Sequence, residues 1–235
     1  MIVKLGFIIL CRYNSSRLPG KILREINGKP ILKYIFESLS QVVSPENIIV
    51  ATSEEETDNP IVEYCKKNKI NVFRGSLENV AERFLECAKH FNLDYATRIN
   101  GDNLFIDLNT IKSMLEIARK NTFDLVSNVK NRTFPKGMSV EMVKVNYYNE
   151  IYKKFNKPEH FEHVTIYLYQ NDAEQNFYYF FNQTCIEAAG IQMAIDDQHD
   201  FETASKIIAK FDREHFTYSL KEVFEIYKNV NEQSI

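Results

Sequence analysis

The chain has 235 residues, 44% hydrophobic and 26% charged, with a formal net charge of -3. That length and apolar content suffice for a substantial buried core, while the weak negative charge speaks against a nucleic-acid partner, whose binding domain is normally basic. No apolar run approaches the ~20 residues of a membrane span, so no membrane partner is expected either.

The first element is a short apolar run, Phe7 to Leu10, of the kind that forms a buried strand. It opens into a polar loop carrying Arg12, Arg17 and Lys21, with Pro19-Gly20 as a turn signal, and no acidic residue occurs from Met1 to Arg24. Three cations on a loop at the carboxyl end of a strand suit a polyanion such as a nucleoside triphosphate, although charge alone leaves a solvated basic loop open. The loop is not a Walker A motif: Ser15 stands where that motif needs glycine and Ile22 where it needs a hydroxyl. It also lacks the spaced glycines of a dinucleotide fingerprint. Phosphate would be held here largely by side-chain charge.

Ile31, Leu32, Ile35, Phe36 and Leu39 then recur at helical spacing behind Pro30, and Ile48 to Ala51 read as a buried strand ending in Thr52-Ser53. An acidic loop from Glu54 to Asp58 precedes a helix opened by Pro60. Val72-Phe73 is a short strand leading into Arg74-Gly75-Ser76, and the stripe from Leu77 to His90 predicts a helix. Tyr95 to Ile99 is a strand broken at Asn100-Gly101-Asp102-Asn103; Ile111 to Ala118 mark a helix, and Phe123 to Val126 a strand. This alternation indicates βαβ units and a parallel sheet covered on both faces. Each motif lies just after a strand, where open α/β sheets bind ligands.

From Lys130 the rhythm changes. A turn at Pro135-Gly137 precedes a strand within Met138 to Val145, a helix over Tyr147 to Phe155, a short helix over Glu162 to Leu168 and an aromatic strand over Phe177 to Phe181. Residues 130–190 read as an insertion in a single domain spanning 1–235, forming a wall on the acceptor side and a possible dimer contact. Gln192 to Ile195 is the last core strand, ending in Asp196-Asp197, and two helices close the chain, over Phe201 to Phe211 and Leu220 to Tyr227.

Cys11, Cys65, Cys87 and Cys185 are scattered, with no Cys-x-x-Cys pair, so the common zinc spacings are excluded and reduced, mostly buried thiols are expected. Met1 to Leu10 carries one charge, a short apolar run and no small-residue cleavage site after it, so it does not read as a signal peptide. A cytoplasmic protein is the expectation.

The segment RYNSSRLPGKILREINGKPILKYIFESL resembles the opening of the 3-deoxy-manno-octulosonate cytidylyltransferases, and more closely that of their relatives named for spore coat polysaccharide biosynthesis protein F. The shared positions are Arg12, Ser15, Ser16, Arg17, Leu18, Pro19, Gly20, Lys21, Asn27, Gly28, Lys29 and Pro30. Further segments, ATSEEETDNPIVEYCKKNKINVFRGS, RINGDNLFID and MAIDDQHDFE, carry the resemblance to about residue 211. It implies the nucleotidyltransferase version of the glycosyltransferase-A-like fold, a three-layer α/β sandwich with a mostly parallel twisted sheet. It also implies transfer of CMP from CTP to a sugar or sugar-acid hydroxyl with loss of pyrophosphate, Mg²⁺ dependence, and a homodimer.

The resemblance assigns metal binding to Asp102 and Asp196; local sequence leaves helix capping open for Asp102, and Asp197 reads as a cap or an outer support. Arg12 and Lys21 would act with the two aspartates in catalysis by holding the triphosphate. Arg17 would add charge or pair with a carboxylate. Base recognition is expected near Leu10, Cys11, Thr52, Ser53 and Ser76, with Ser16 on the phosphate loop. Arg74 and Arg98 are candidates for the nucleotide or for structural ion pairs. Glu141 and His163, in matched motifs within the insertion, are the expected acceptor contacts. Gln192 stands where relatives often carry arginine, so the acceptor need not be a common sugar acid of the family. The alternatives are a protein of this fold that has lost catalysis and acts as a regulator, and a glycosyltransferase. The latter typically carries Asp-x-Asp, where this chain has Asn100-Gly101-Asp102.

Overall fold

Strand β1 (Leu5–Leu10) is buried along its whole length in the computed structural model, which describes residues 3–172 and 176–232. Its side chains alternate between two cores: Leu5, Phe7 and Ile9 face one, Ile8 and Leu10 the other. A hairpin of β2 (Glu25–Ile26) and β3 (Lys29–Pro30) follows, turned by Asn27-Gly28 at φ 50° and 72°. Asn-Gly is the pair that tolerates two positive φ values in a tight hairpin. The chain continues through α1 (Ile31–Leu39), β4 (Ile48–Ser53), α2 (Asn59–Lys67), β5 (Asn71–Gly75), α3 (Val80–His90), β6 (Tyr95–Asn100), α4 (Leu108–Arg119) and β7 (Leu125–Ser127).

The later part comprises β8 (Glu141–Lys144), α5 (Val145–Tyr152), α6 (Pro158–Glu162), α7 (Ile166–Gln170), β9 (Phe177–Tyr179), α8 (Gln198–Ile208) and α9 (Leu220–Glu232). The sheet has seven strands in the order β5-β4-β1-β6-β8-β7-β9. β5, β4, β1 and β6 pair in parallel, as do β7 and β9, and β8 runs antiparallel between β6 and β7. Residues of α1, α2, α4, α8 and α9 fill one core; residues of α3, α5 and α7 fill the other. The result is the mostly parallel three-layer α/β architecture expected from the sequence. No described helix is long and apolar enough to cross a membrane.

Three local expectations change. The helix expected from Leu77 begins at Val80, because Asn79 caps it by accepting from the Glu82 N–H at 3.0 Å. Residues 77–79 are thereby released as loop. The helix expected over Glu162 to Leu168 is split in two at residues 163–165. Gln192 to Ile195 is not a strand: it makes one bridge, Lys136 to Gln192, and then spends its backbone on the site below.

Candidate functional site

The carboxyl ends of β1 and β6 are tied together where the Gly101 N–H donates to the Leu10 carbonyl at 2.9 Å. Gly101 is required there, since a Cβ would stand 2.8 Å from that of Cys11. The segment that replaces the expected last strand closes on the same point: the Ile195 N–H donates to the Asp102 carbonyl at 3.2 Å. Asp102 and Asp196, 94 positions apart in sequence, are thus brought to one corner of a cavity of about 730 Å³.

Lys21 stands between them. Its ammonium is 3.5 Å from Asp102 Oδ2 and 3.9 Å from Asp196 Oδ1, and donates to the Ile195 carbonyl at 2.9 Å. Arg17 Nη2 reaches Asp196 Oδ1 at 2.9 Å, so Arg17 takes the carboxylate-pairing role left open by the sequence. Burial pushes the Asp102 carboxyl above its ordinary value; Lys21 opposes that, and the like charge of Asp196 adds to it. Asp196 is steadied from behind. Its N–H donates to Asp200 Oδ2 at 2.9 Å, and Gln192 Nε2 donates to Asp196 Oδ2 at 3.3 Å and to Asp200 Oδ2 at 3.4 Å. Gln192 therefore supports Asp196 and does not line the main cavity. Asp197 caps α8 by accepting from the Asp200 N–H at 3.0 Å.

The loop after β1 forms one wall, with Leu10, Cys11, Arg12, Ser16, Arg17 and Lys21 all facing the cavity. It folds back on itself where Tyr13 accepts from the Gly20 N–H at 2.8 Å. Arg12 is exposed and makes no ion pair among the described residues. Arg98 lines the wall next to Asp102, and His163 lies at the mouth, in the break between α6 and α7. Burial raises the Cys11 thiol, which makes it an apolar lining group and not a nucleophile.

Five expected contacts serve other purposes. Thr52 and Ser53 are fully buried, and their hydroxyls donate to Asp58 Oδ2 at 2.8 and 2.5 Å. The other oxygen of Asp58 accepts from the Tyr13 N–H at 2.6 Å, so this carboxylate clips the loop after β1 to the end of β4. Arg74 binds the Ser53 and Glu55 carbonyls and Asn59 Oδ1, facing a neighbouring hollow. Glu141 is 1% exposed, with its oxygens occupied by Arg98, Thr165 and Tyr169. Its carboxylate orients Arg98 and is spent before any acceptor arrives. Ser76 lies outside the cavity too; its hydroxyl accepts from the Asn79 N–H at 2.9 Å.

The sequence did not single out Leu77, Asn79, Val80 and Arg83 at the start of α3, or Pro158 and Phe161 of α6, all of which line the cavity. The signal for Arg83 was present as a charged residue at helical spacing from Val80 and Cys87 on a largely apolar stripe.

Among the described residues no group of three or more His, Cys, Asp or Glu side chains forms a ready metal cage. The two aspartates nevertheless fit Mg²⁺: they offer hard oxygens, and a cation already occupies the space between them as Lys21. Mg²⁺ characteristically takes one or two carboxylates and completes its shell with phosphate oxygens and water.

A family model described as cytidylyltransferase matches residues 6–233. The chain is 33% identical over 210 residues to an uncharacterized protein of Methanocaldococcus jannaschii, covering 89% of this chain and 85% of that one. It is 29% identical over 210 residues to the spore coat polysaccharide biosynthesis protein SpsF of Bacillus subtilis, covering 87% and 86%. The solved structure of a cytidylyltransferase from Leptospira borgpetersenii superposes with a TM-score of 0.90 at 29% identity, over 98% of this chain and 96% of that one.

Proposed function

The chain belongs to the cytidylyltransferase family of nucleotidyltransferase enzymes, and from that premise we propose that it transfers CMP from CTP to a hydroxyl of a sugar or sugar acid, with Mg²⁺, for polysaccharide or glycoconjugate assembly. The observation that carries the reading is the meeting of Asp102, Asp196 and Lys21 at one corner of a cavity walled by a basic loop.

In this reading the acceptor oxygen attacks the α-phosphorus. The new O–P bond forms as the bond to the oxygen bridging to the β-phosphate breaks, pyrophosphate leaves with the electron pair, and the hydroxyl proton passes to water. Such a step needs alignment and charge neutralisation more than covalent help. Lys21 has three donors and gives one to Ile195, which leaves two for phosphate oxygens. Arg12, exposed on the same loop, closes on the outer phosphates. Arg17 holds Asp196 in place while adding positive charge at the loop. Asp102 and Asp196 would hold Mg²⁺, whose contribution when bound is to polarise the α-phosphate and orient the hydroxyl. Arg98, fixed by Glu141, lines the wall beside Asp102, and His163 at the mouth donates to the acceptor. Two copies of the chain and a cytoplasmic location belong to the same reading.

The test is release of pyrophosphate from each of the four common ribonucleoside triphosphates, with Mg²⁺ and a panel of sugars and sugar acids. Release is expected with CTP and at least one acceptor, and not with EDTA present. CTP that binds but yields no pyrophosphate with any acceptor would overturn the catalytic reading.

A further inference from the structure

Asp196 meets different partners with its two carboxylate oxygens. Oδ1 lies on the cavity side, 2.9 Å from Arg17 Nη2 and 3.9 Å from the Lys21 ammonium. Oδ2 lies behind and accepts from Gln192 Nε2 at 3.3 Å. Gln192 takes no part in the cavity wall; it lines a separate hollow of about 10 Å³, roughly the space of a single water. Its side chain therefore acts on whatever binds in the cavity through Asp196.

The amide is fixed from both ends. The Lys136 N–H donates to the Ile191 carbonyl at 2.9 Å and the Met193 N–H to the Lys136 carbonyl at 3.1 Å, which pins the backbone on either side of Gln192. Gly137 permits that approach: its φ is 89°, and a Cβ there would stand 2.5 Å from the Ala194 nitrogen. In the side chain, Nε2 carries two hydrogens. One meets the Ala194 carbonyl at 2.9 Å and locks the rotamer. The other is left to Asp196 Oδ2 and Asp200 Oδ2, at 3.3 and 3.4 Å. Asp200 is not free to withdraw, because the same oxygen accepts the Asp196 N–H at 2.9 Å and closes the turn into α8. Two carboxylates thus face one N–H, and without it their like charges would turn Asp196 away from its neighbour. The donor is neutral, so it orients Asp196 without cancelling the charge that a bound cation uses.

We propose that Gln192 is a positioning residue for the metal site, its shared N–H holding Asp196 Oδ2 back and keeping Oδ1 turned toward Lys21 and Asp102. This rests on the reading above in which Asp102 and Asp196 hold Mg²⁺. A group that hydrogen-bonds a carboxylate ligand changes metal affinity by about 10–100-fold when it is lost, although it never touches the ion.

The test is isothermal titration of the full chain with CTP, once with Mg²⁺ and once with EDTA. In the wild type Mg²⁺ is expected to tighten CTP binding at least ~10-fold. Gln192→Met keeps the length of the side chain and loses the donor. Its gain from Mg²⁺ should shrink at least ~5-fold, while its affinity for CTP in EDTA stays within ~2-fold of wild type. Gln192→Asn keeps the amide but withdraws it by one methylene; it should behave alike, and it decides the matter should the first variant not fold. Asp196→Asn should lose the gain by itself. Adding Gln192→Met to it should change the gain no further, because the glutamine acts only through that carboxylate. A folded Gln192 variant with the full wild-type gain overturns the proposal. So does an equal loss with and without Mg²⁺, which would mark a general loosening of the segment, and so do additive effects in the double variant. A wild type whose CTP binding owes nothing to Mg²⁺ removes the functional premise first, and the proposal falls with it.

Discussion

Lys21 donates one ammonium proton to the Ile195 carbonyl and holds the rest of its charge between Asp102 and Asp196. Replacing it by alanine removes the proposed phosphate clamp and leaves Asp102 without its Lys21 ion pair, while Asp196 keeps Arg17. Lys21→Ala and, separately, Arg12→Ala are therefore expected to lower kcat at least ~10²-fold, as when a charged clamp on a transferring phosphoryl group is lost. Steady-state pyrophosphate release measures this; a near-normal rate in either variant rejects that residue's role. Gly101→Ala tests the junction beneath. The added methyl would meet Cys11 Cβ at 2.8 Å, Ile22 Cδ1 at 3.1 Å and the Leu10 carbonyl oxygen at 3.3 Å. Overpacking of that kind costs about 1–3 kcal/mol, readable as a lower urea midpoint. Arg12, Lys21 and Asp102 share one cavity because they follow the ends of β1 and β6, neighbours in the parallel sheet, whereas Asp196 is brought there by the Ile195 N–H bond to the Asp102 carbonyl. Arg83 was illegible for the opposite reason: its neighbours make a helix stripe, and periodicity reports which face is buried without reporting what that face adjoins.

At the scale of elements, the loop after β1 is tethered by Asp58, a residue that in sequence belongs to a nondescript acidic turn. Its carboxylate accepts from the Tyr13 N–H, the Ser53 N–H and the hydroxyls of Thr52 and Ser53. Burial alone would raise its pKa, but the hydrogen bonds from Ser53, Tyr13 and Thr52 together hold it below its ordinary value. Asp58→Ala leaves those buried donors unpaired, at about 1–3 kcal/mol for such a group. The expected outcome is a lower unfolding midpoint together with a raised KM for CTP, since the loop loses its tether to β4. A KM unchanged in a destabilised variant would show that the loop keeps its form without the clip. Thr52 and Ser53 looked like base readers because small hydroxyls at a strand end suit either task, and only the fold reveals the acid facing them. The expected strand at Gln192 to Ile195 fails similarly. Its apolar residues are genuinely buried, but among the described residues it makes a single bridge, and its amides go to Lys136 and Asp102.

Across the whole molecule, the order of the strands is where sequence says least. β8 comes from the segment read as an insertion, yet it lies in the middle of the sheet between β6 and β7. What fixes it there is a buried charge cluster: Glu141 of β8 receives Arg98 from β6 and the hydroxyls of Thr165, in the break between α6 and α7, and of Tyr169 in α7. Burial by itself would raise the Glu141 pKa, but Arg98, Tyr169 and Thr165 outweigh it and leave the carboxyl below its ordinary 4.5. A carboxyl with a depressed folded pKa contributes stability that is fully present above the unfolded value and is lost as pH falls through the folded one. Glu141→Gln deletes the charge and keeps the shape. At pH 7 the variant should be less stable by about 3 kcal/mol, because Arg98 is left without its counter-ion. Between pH 8 and about pH 5 that difference should hold constant, since the wild-type carboxyl stays ionised in both folded and unfolded chains. Below about pH 4.5 it should shrink, as protonation makes the wild type resemble its amide variant. Urea titrations of both proteins across this range measure it directly. A gap that persists undiminished at the lowest pH at which both proteins still fold would mean the cluster acts through packing, and that charge does not hold the inserted strand in the sheet.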